Sequence, residues 1–187
     1  GQTHTCALKT DRTVVCWGSN DQGQLGDGSA DAFSTSPRIV SGLADVTALA
    51  TSSNAAHTCA LLSTGSVLCW GDAASGQLGD GTMTDARAPV PAALPMMAQA
   101  VALGSQHSCA ALLDGSVQCW GANDQGQLGN GATLSSATPV VVVGATSIVA
   151  LGGGNKHSCA MAMNASVYCW GWNISGQVGD GTLSPSL

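Results

Sequence analysis

Glutamate is missing altogether, and all eleven acidic residues are aspartate. Charged residues make up only 9% of the 187. Glu, Lys and Arg are the usual fillers of exposed helix faces, so their scarcity argues against a helical protein. Basic charge is scarcer than acidic. Lys9, Arg12, Arg38, Arg87 and Lys156 are spread thinly through a chain of net charge −6. They form no cationic stripe to neutralise phosphates, which argues against nucleic acid and anionic membrane surfaces as direct partners. No apolar run approaches the roughly 20 residues of a membrane-spanning helix. Aromatic rings are few, with one Phe, one Tyr and five Trp.

What the chain does contain is repetition, which sets the reading of everything else. Trp17, Trp70, Trp120 and Trp170 each stand between a cysteine and a glycine, at steps of 53, 50 and 50 residues. Around each tryptophan runs the same order of motifs: His-Ser/Thr-Cys-Ala, a short apolar stretch, a turn, Val-x-Cys-Trp-Gly, and Gly-Gln-Leu/Val-Gly-Asp/Asn-Gly. The copies are His4 to Gly28, His57 to Gly81, His107 to Gly131 and His157 to Gly181. Between them lie apolar segments such as Pro139 to Val143 and Ile148 to Leu151, which are short, β-branched and bounded by Gly and Pro, as strands are. The whole chain is one repeat array, with units at about 1–45, 46–95, 96–145 and 146–187. An apolar content of 44% suffices for a real core.

Each copy carries two cysteines ten positions apart: Cys6 with Cys16, Cys59 with Cys69, Cys109 with Cys119, and Cys159 with Cys169. A hairpin with a three-residue loop sets such a pair face to face. In the second and third copies that loop is Ser63-Thr64-Gly65 and Leu113-Asp114-Gly115, with glycine where a type I turn plus bulge needs a left-handed residue. Turn chemistry and cysteine spacing therefore agree on disulfides, each closing a loop worth about 2–3 kcal/mol. Arg12 and Ala165 occupy the glycine position in the first and fourth copies, where a strained or different loop is expected. Alternation puts His4, Cys6, Leu8, Val14 and Cys16 on one face of the hairpin and Trp17 on the other. Zinc is the competing reading of His-x-Cys with a second Cys, but ten residues is not the short Cys-x2–4-Cys step of a zinc ribbon or knuckle.

Residues 4–8, 14–18 and 23–28, with their three sets of counterparts, resemble the repeats of the regulator of chromosome condensation family over the whole chain. The resemblance implies an all-β propeller with blades of four antiparallel strands, usually seven in a closed ring. This chain would hold about three and a half to four blades, belonging to a larger ring or to one completed by further copies of itself. The family's founder is an exchange factor for a nuclear GTPase. Other relatives are secreted or surface bacterial proteins and β-lactamase inhibitors. A cysteine pair in every blade departs from a reducing nuclear setting. The expectation is a secreted or cell-surface scaffold that binds protein or glycan and catalyses nothing, with an enzyme regulator as the alternative.

Four equivalent histidines, His4, His57, His107 and His157, point to structure, since a catalytic base needs a unique nucleophile or carboxylate beside it. Each is expected to bond a neighbouring blade's backbone. The Gly-Gln-Leu-Gly-Asp-Gly segments lack the Walker lysine and the following helix of a phosphate loop. No cofactor is expected; calcium is the nearest candidate, at Asp21 with Asp27 and at Asp124 near Asn130, though their spacing fits no familiar calcium loop. What recurs is scaffold, so function is sought in what does not. The interval from Leu49, Leu103 or Leu151 to the next histidine is 8, 4 and 6 residues, marking a rim of variable loops. Trp172, Tyr168 and Phe33 stand outside the repeated pattern and are candidate partner anchors. Asn164-Ala-Ser166 and Asn173-Ile-Ser175 fit the N-glycosylation pattern.

Overall fold

The computed structural model describes residues 1–187, and all of its regular structure is β. The first sheet holds β1 (His4–Leu8), β2 (Val14–Ser19) and β3 (Phe33–Ile39). The second holds β4 (Val46–Ala50), β5 (His57–Leu62), β6 (Val67–Gly71) and β7 (Ala86–Pro91), and the third β8 (Ala98–Leu103), β9 (His107–Leu112), β10 (Val117–Gly121) and β11 (Ser136–Val141). The fourth holds β12 (Ile148–Gly153), β13 (His157–Ala162) and β14 (Val167–Gly171). Strands follow one another in order within each antiparallel sheet, and β8 lies beside both β4 and β12, so β4, β8 and β12 form the hub of an arc of four blades, while β1 is the counterpart of β5, β9 and β13.

The central hairpin of every blade has the register that its cysteines require. Cys6 faces Cys16, Cys59 faces Cys69, Cys109 faces Cys119 and Cys159 faces Cys169, and all four pairs are disulfide-bonded. The loops are closed alike: the Leu62 N–H donates to the Ser66 carbonyl and the Gly65 N–H to the Leu62 carbonyl, both at 2.9 Å. Residues 9–13, 112–116 and 162–166 repeat this pattern. The different loop shape expected for the first and fourth copies is therefore not found. Arg12 and Ala165 take the left-handed conformation themselves, both at φ 65°, near Gly65 at 80° and Gly115 at 81°. The residue at this position must turn left-handed to close the hairpin, and a side chain there costs about 1–2 kcal/mol.

The core lies between blades rather than within them. Val14, Cys16, Leu25 and Val40 of the first blade pack on Val46, Ala60 and Trp70 of the second. A second cluster joins Leu61, Cys69 and Leu78 to Leu103, Ala110 and Trp120, and a third joins Val117, Cys119 and Leu128 to Ile148, Ala160 and Trp170. Each sheet thus offers its tryptophan face to the preceding blade and its disulfide face to the following one. Trp70 and Trp120 are wholly buried, and the indole N–H groups of Trp70, Trp120 and Trp170 donate to the carbonyls of Gln24, Gln77 and Gln127 at 3.0, 2.9 and 2.9 Å. Those glutamines belong to the Gly-Gln-Leu-Gly segment of the blade before. Gly23 explains why that segment must begin with glycine: at φ 82°, a methyl there would stand 2.6 Å from the Ala86 carbonyl oxygen and 2.7 Å from the Arg87 Cα of the next blade. The Gly28 and Gly81 N–H groups donate to the carbonyls of Arg87 and Ala137 in the following blades. These segments are clamps between blades, which is the use their backbone amides find in place of phosphate.

Candidate binding site on the loop rim

The arc has two rims of opposite character. One carries the uniform three-residue hairpin tips. The other carries the loops that enter β5, β9 and β13: residues 51–56 form a longer loop, whereas 104–106 and 154–156 are equally short. Val101 and not Leu103 is the counterpart of Leu49 and Leu151, so the three different intervals expected from the sequence reduce to one longer loop. On this second rim Gln2, Gln22, Asn54, Ala56, Asp72, Ser105, Gln106, Asn155 and Lys156 line a cleft of about 460 Å³ to which all four blades contribute. Ala56 is its one apolar side chain. Small-molecule pockets are usually apolar with a few polar groups; this wall is the reverse, a set of amides with one hydroxyl, one carboxylate and one ammonium.

Two charged groups give the cleft its electrostatics. Asp72 is only 7% exposed; its Oδ1 accepts the Ala74 N–H at 3.0 Å and its Oδ2 accepts Nε2–H of Gln77 at 2.8 Å. Lys156 Nζ donates to Asp124 Oδ2 at 2.6 Å across the boundary between the third and fourth blades. Partial burial pushes the Asp124 carboxyl up, but hydrogen bonds from Lys156, Gln127 and Gln125 outweigh it and hold it at about 2. Residue 72 stands two positions after the blade tryptophan, where the other blades have Ser19, Ala122 and Trp172. That lack of repetition was the available sign of the site, together with loop length; sequence reasoning did not single out Asp72 itself.

The histidines are the first residues of β1, β5, β9 and β13, at the same rim. His4 Nε2 meets Thr58 Oγ1 at 2.8 Å, His57 Nε2 meets Ser108 Oγ at 3.0 Å, and His107 Nε2 meets Ser158 Oγ at 2.8 Å. Each reaches the next blade, but its partner is a side-chain hydroxyl and not the backbone that the sequence led us to expect. The Ser108 hydroxyl proton is spent on the Gln77 carbonyl at 2.8 Å, so His57 Nε2–H is the donor and Ser108 the acceptor. This histidine cannot act as a base toward that serine. Nδ1 of His4, His57 and His107 is buried without a partner. Burial pushes all three rings down, to about 4 for His4, about 3 for His57 and about 4 for His107. The N-terminal charge adds to the effect at His4, those of His107 and His4 at His57, and that of His157 at His107.

The repeat signature described as "Regulator of chromosome condensation (RCC1) repeat" matches residues 13–61, 64–111 and 114–161, and a second form of it matches 1–24, 49–77, 98–127 and 148–177. The chain belongs to the RCC1 repeat family. Human protein RCC2 is 36% identical over 98 residues, covering 52% of this chain and 18% of RCC2, so the chain spans a small part of that relative's length. The structure of human WBSCR16 matches with a TM-score of 0.87 at 24% identity, over 100% of this chain and 50% of that one. That of Prp20p from Saccharomyces cerevisiae matches with 0.81 at 26% identity, over 99% and 47%.

Within this RCC1 framework the three aromatic anchor candidates do not form one surface. Phe33 is 65% exposed at the start of β3, opposite Ser19, and so lies on the loop rim of the first blade. Trp172 is half-buried on the same rim of the fourth blade, its N–H donating to the Lys156 carbonyl at 2.8 Å. Tyr168 stands within β14 opposite Ala160, 38% exposed. Of the residues considered for calcium, Asp27, Asp124 and Asn130 are engaged locally. Asp27 accepts the Ser29 N–H, Asn130 accepts from Asn123 and Ala132, and no three acidic, histidine or cysteine side chains converge as a metal site. Of the two glycosylation motifs, Asn173 is fully buried, its amide donating to the carbonyls of Thr182 and Ser184, whereas Asn164 is exposed at a hairpin tip.

Proposed function

We propose that this chain is a non-catalytic RCC1-type scaffold working outside the reducing cytosol, secreted or at the cell surface, and that it binds a protein partner through the loop rim. The observation that carries the proposal is the position of the polar cleft: it opens where all four blades meet, on the rim where the otherwise uniform repeats differ. Scaffold positions are held alike by packing, and variable loops on a rigid frame are where recognition is placed. Four disulfides, one per blade, support an oxidising compartment. The Prp20p structure is described with binding to Gsp1p and histones, which supports protein rather than glycan as the partner class.

The experiment has two arms. Thiol trapping in the native source, followed by fractionation, should find all eight cysteines oxidised and the protein in the extracellular or surface fraction; eight free thiols in the cytosolic fraction would end this reading. Partner capture should be lost in Gln106→Arg and Asn155→Arg and kept in Leu113→Ser on the opposite rim. Regulation of a GTPase is the second reading, resting on membership of the RCC1 repeat family, whose founder is an exchange factor. Accelerated nucleotide release from a GTPase of the same source would favour it.

A further inference from the structure

We infer that the cleft seats a basic side chain, an arginine or lysine of the partner polypeptide, on the carboxylate of Asp72. The inference rests on the loop rim being the binding surface. Asp72 is more than nine-tenths buried yet lines the cleft. The N–H groups of Ala74 and Gln77 that bond it are neutral donors. They fix the orientation of the carboxylate, use two of its roughly four lone-pair positions, and leave its charge unbalanced. The ion pairs of the chain join Lys9 to Asp11, Arg12 to Asp45, Arg38 to Asp31 and Lys156 to Asp124, and none reaches Asp72. A buried carboxylate without a counter-ion is held against its own desolvation, so an incoming cation would restore what burial removed.

Lys156 makes this arrangement possible. It is the cation on the same wall, and its 2.6 Å bond to Asp124 keeps it from neutralising Asp72. The scaffold does not require the carboxylate either, since Ser19, Ala122 and Trp172 fill the corresponding positions of the other blades. Gln106, Asn54 and Asn155 offer amide oxygens around the cleft, suited to the remaining N–H groups of a guanidinium. The net charge of −6 draws basic partners toward the molecule. An anionic ligand would meet the Asp72 charge, and a neutral sugar hydroxyl would donate to the carboxylate but leave its charge unbalanced.

The test is a titration of the 15N-labelled protein, followed by its amide signals, with acetyl-Gly-Arg-Gly-amide and with the same peptide carrying citrulline in place of arginine. The arginine peptide should shift the signals of residues 71–74 and 105–106 with a dissociation constant on the order of 1 mM. The neutral citrulline peptide should bind at least about tenfold more weakly. Acetyl-Gly-Lys-Gly-amide should shift the same signals. Asp72→Asn should bind the arginine and citrulline peptides alike while keeping the dispersed spectrum of the folded protein. Should that variant unfold, the two peptides on the wild-type chain still decide the matter.

Equal binding of the arginine and citrulline peptides would overturn the inference. So would shifts confined to Asp11, Asp45 and Asp114 on the hairpin-tip rim, or maltotriose producing the cleft shifts that the arginine peptide does not. If Gln106→Arg abolishes partner capture and Asp72→Asn leaves it unchanged, the rim stands and the cationic anchor falls. The two proposals therefore fail separately.

Discussion

The two inner blades and the two end blades are built from the same motifs and sit in different surroundings. In the second and third blades both sheet faces are covered: Trp70 and Trp120 are wholly buried, and Cys59, Cys69, Cys109 and Cys119 are at most 2% exposed. In the fourth blade the disulfide face is open, with Cys159 and Cys169 half-buried, Met161 44% exposed and Val167 66% exposed. The first blade has the opposite face open, and Trp17 is only half-buried. One motif thus yields a core residue or a surface residue according to its neighbour. Stability in such an array lies in the interfaces between blades more than in any single blade.

The largest expected departure from this balance comes from acid, because the three histidines with following blades are buried neutral. Their folded-state values, about 3 for His57 and about 4 for His4 and His107, lie below the roughly 6.5 of an unfolded chain. Between those limits the unfolded chain binds the extra protons, so stability is fully present above about pH 6.5 and falls as pH drops toward 4. His57 alone should account for a loss on the order of 3 kcal/mol by pH 4. Urea unfolding at a series of pH values should show the decline, and His57→Gln should flatten it. A curve unchanged from pH 7 to 4 would break the claim that the inner seams are sealed.

Tryptophan truncation compares the blades directly. Trp120→Ala should cost about 3–5 kcal/mol, as expected for a large ring removed from a closed interface. Trp17→Ala, on the open face, should cost less than about half of that. Equal losses in the two variants would mean that the motif, and not its neighbour, sets the stability.

Reduction gives a third measure. Under dithiothreitol without denaturant, followed by alkylation and mass mapping, Cys159–Cys169 should open first and Cys59–Cys69 last, following exposure of the sulfurs. The smallest effect tests an irregularity within the inner pair. Asn20, Asn123 and Asn173 are buried and accept the N–H of Leu25, Leu128 and Val178 at 3.1, 2.9 and 2.9 Å, but the second blade has Ala73 at this position. Ala73→Asn should supply the missing clamp and stabilise the chain by about 1 kcal/mol, read as a rise in the midpoint of thermal unfolding.

Much of the architecture was legible because it is local and periodic. Cysteine spacing, a left-handed loop position and period-2 alternation each depend on residues within about a dozen positions, and they agree on one hairpin register. Even Arg12 and Ala165 obey it, because hairpin closure outweighs the preference of a side chain for negative φ. The candidate site was legible only in outline. Variable loop length pointed to the rim, whereas being single in the sequence says nothing about where Phe33, Tyr168 and Trp172 stand in space.

By itself, then, the sequence determined the blade: its strands, its disulfide and the face on which its tryptophan lies, since alternation and turn geometry act within one hairpin. Tertiary structure alone decided the cleft. Gln2, Asn54, Asp72, Gln106 and Asn155 come from four different blades, and the contacts that stack one sheet on the next bring them to a common wall. Only that stacking leaves the Asp72 carboxylate buried in a cleft whose one cation is already held by Asp124.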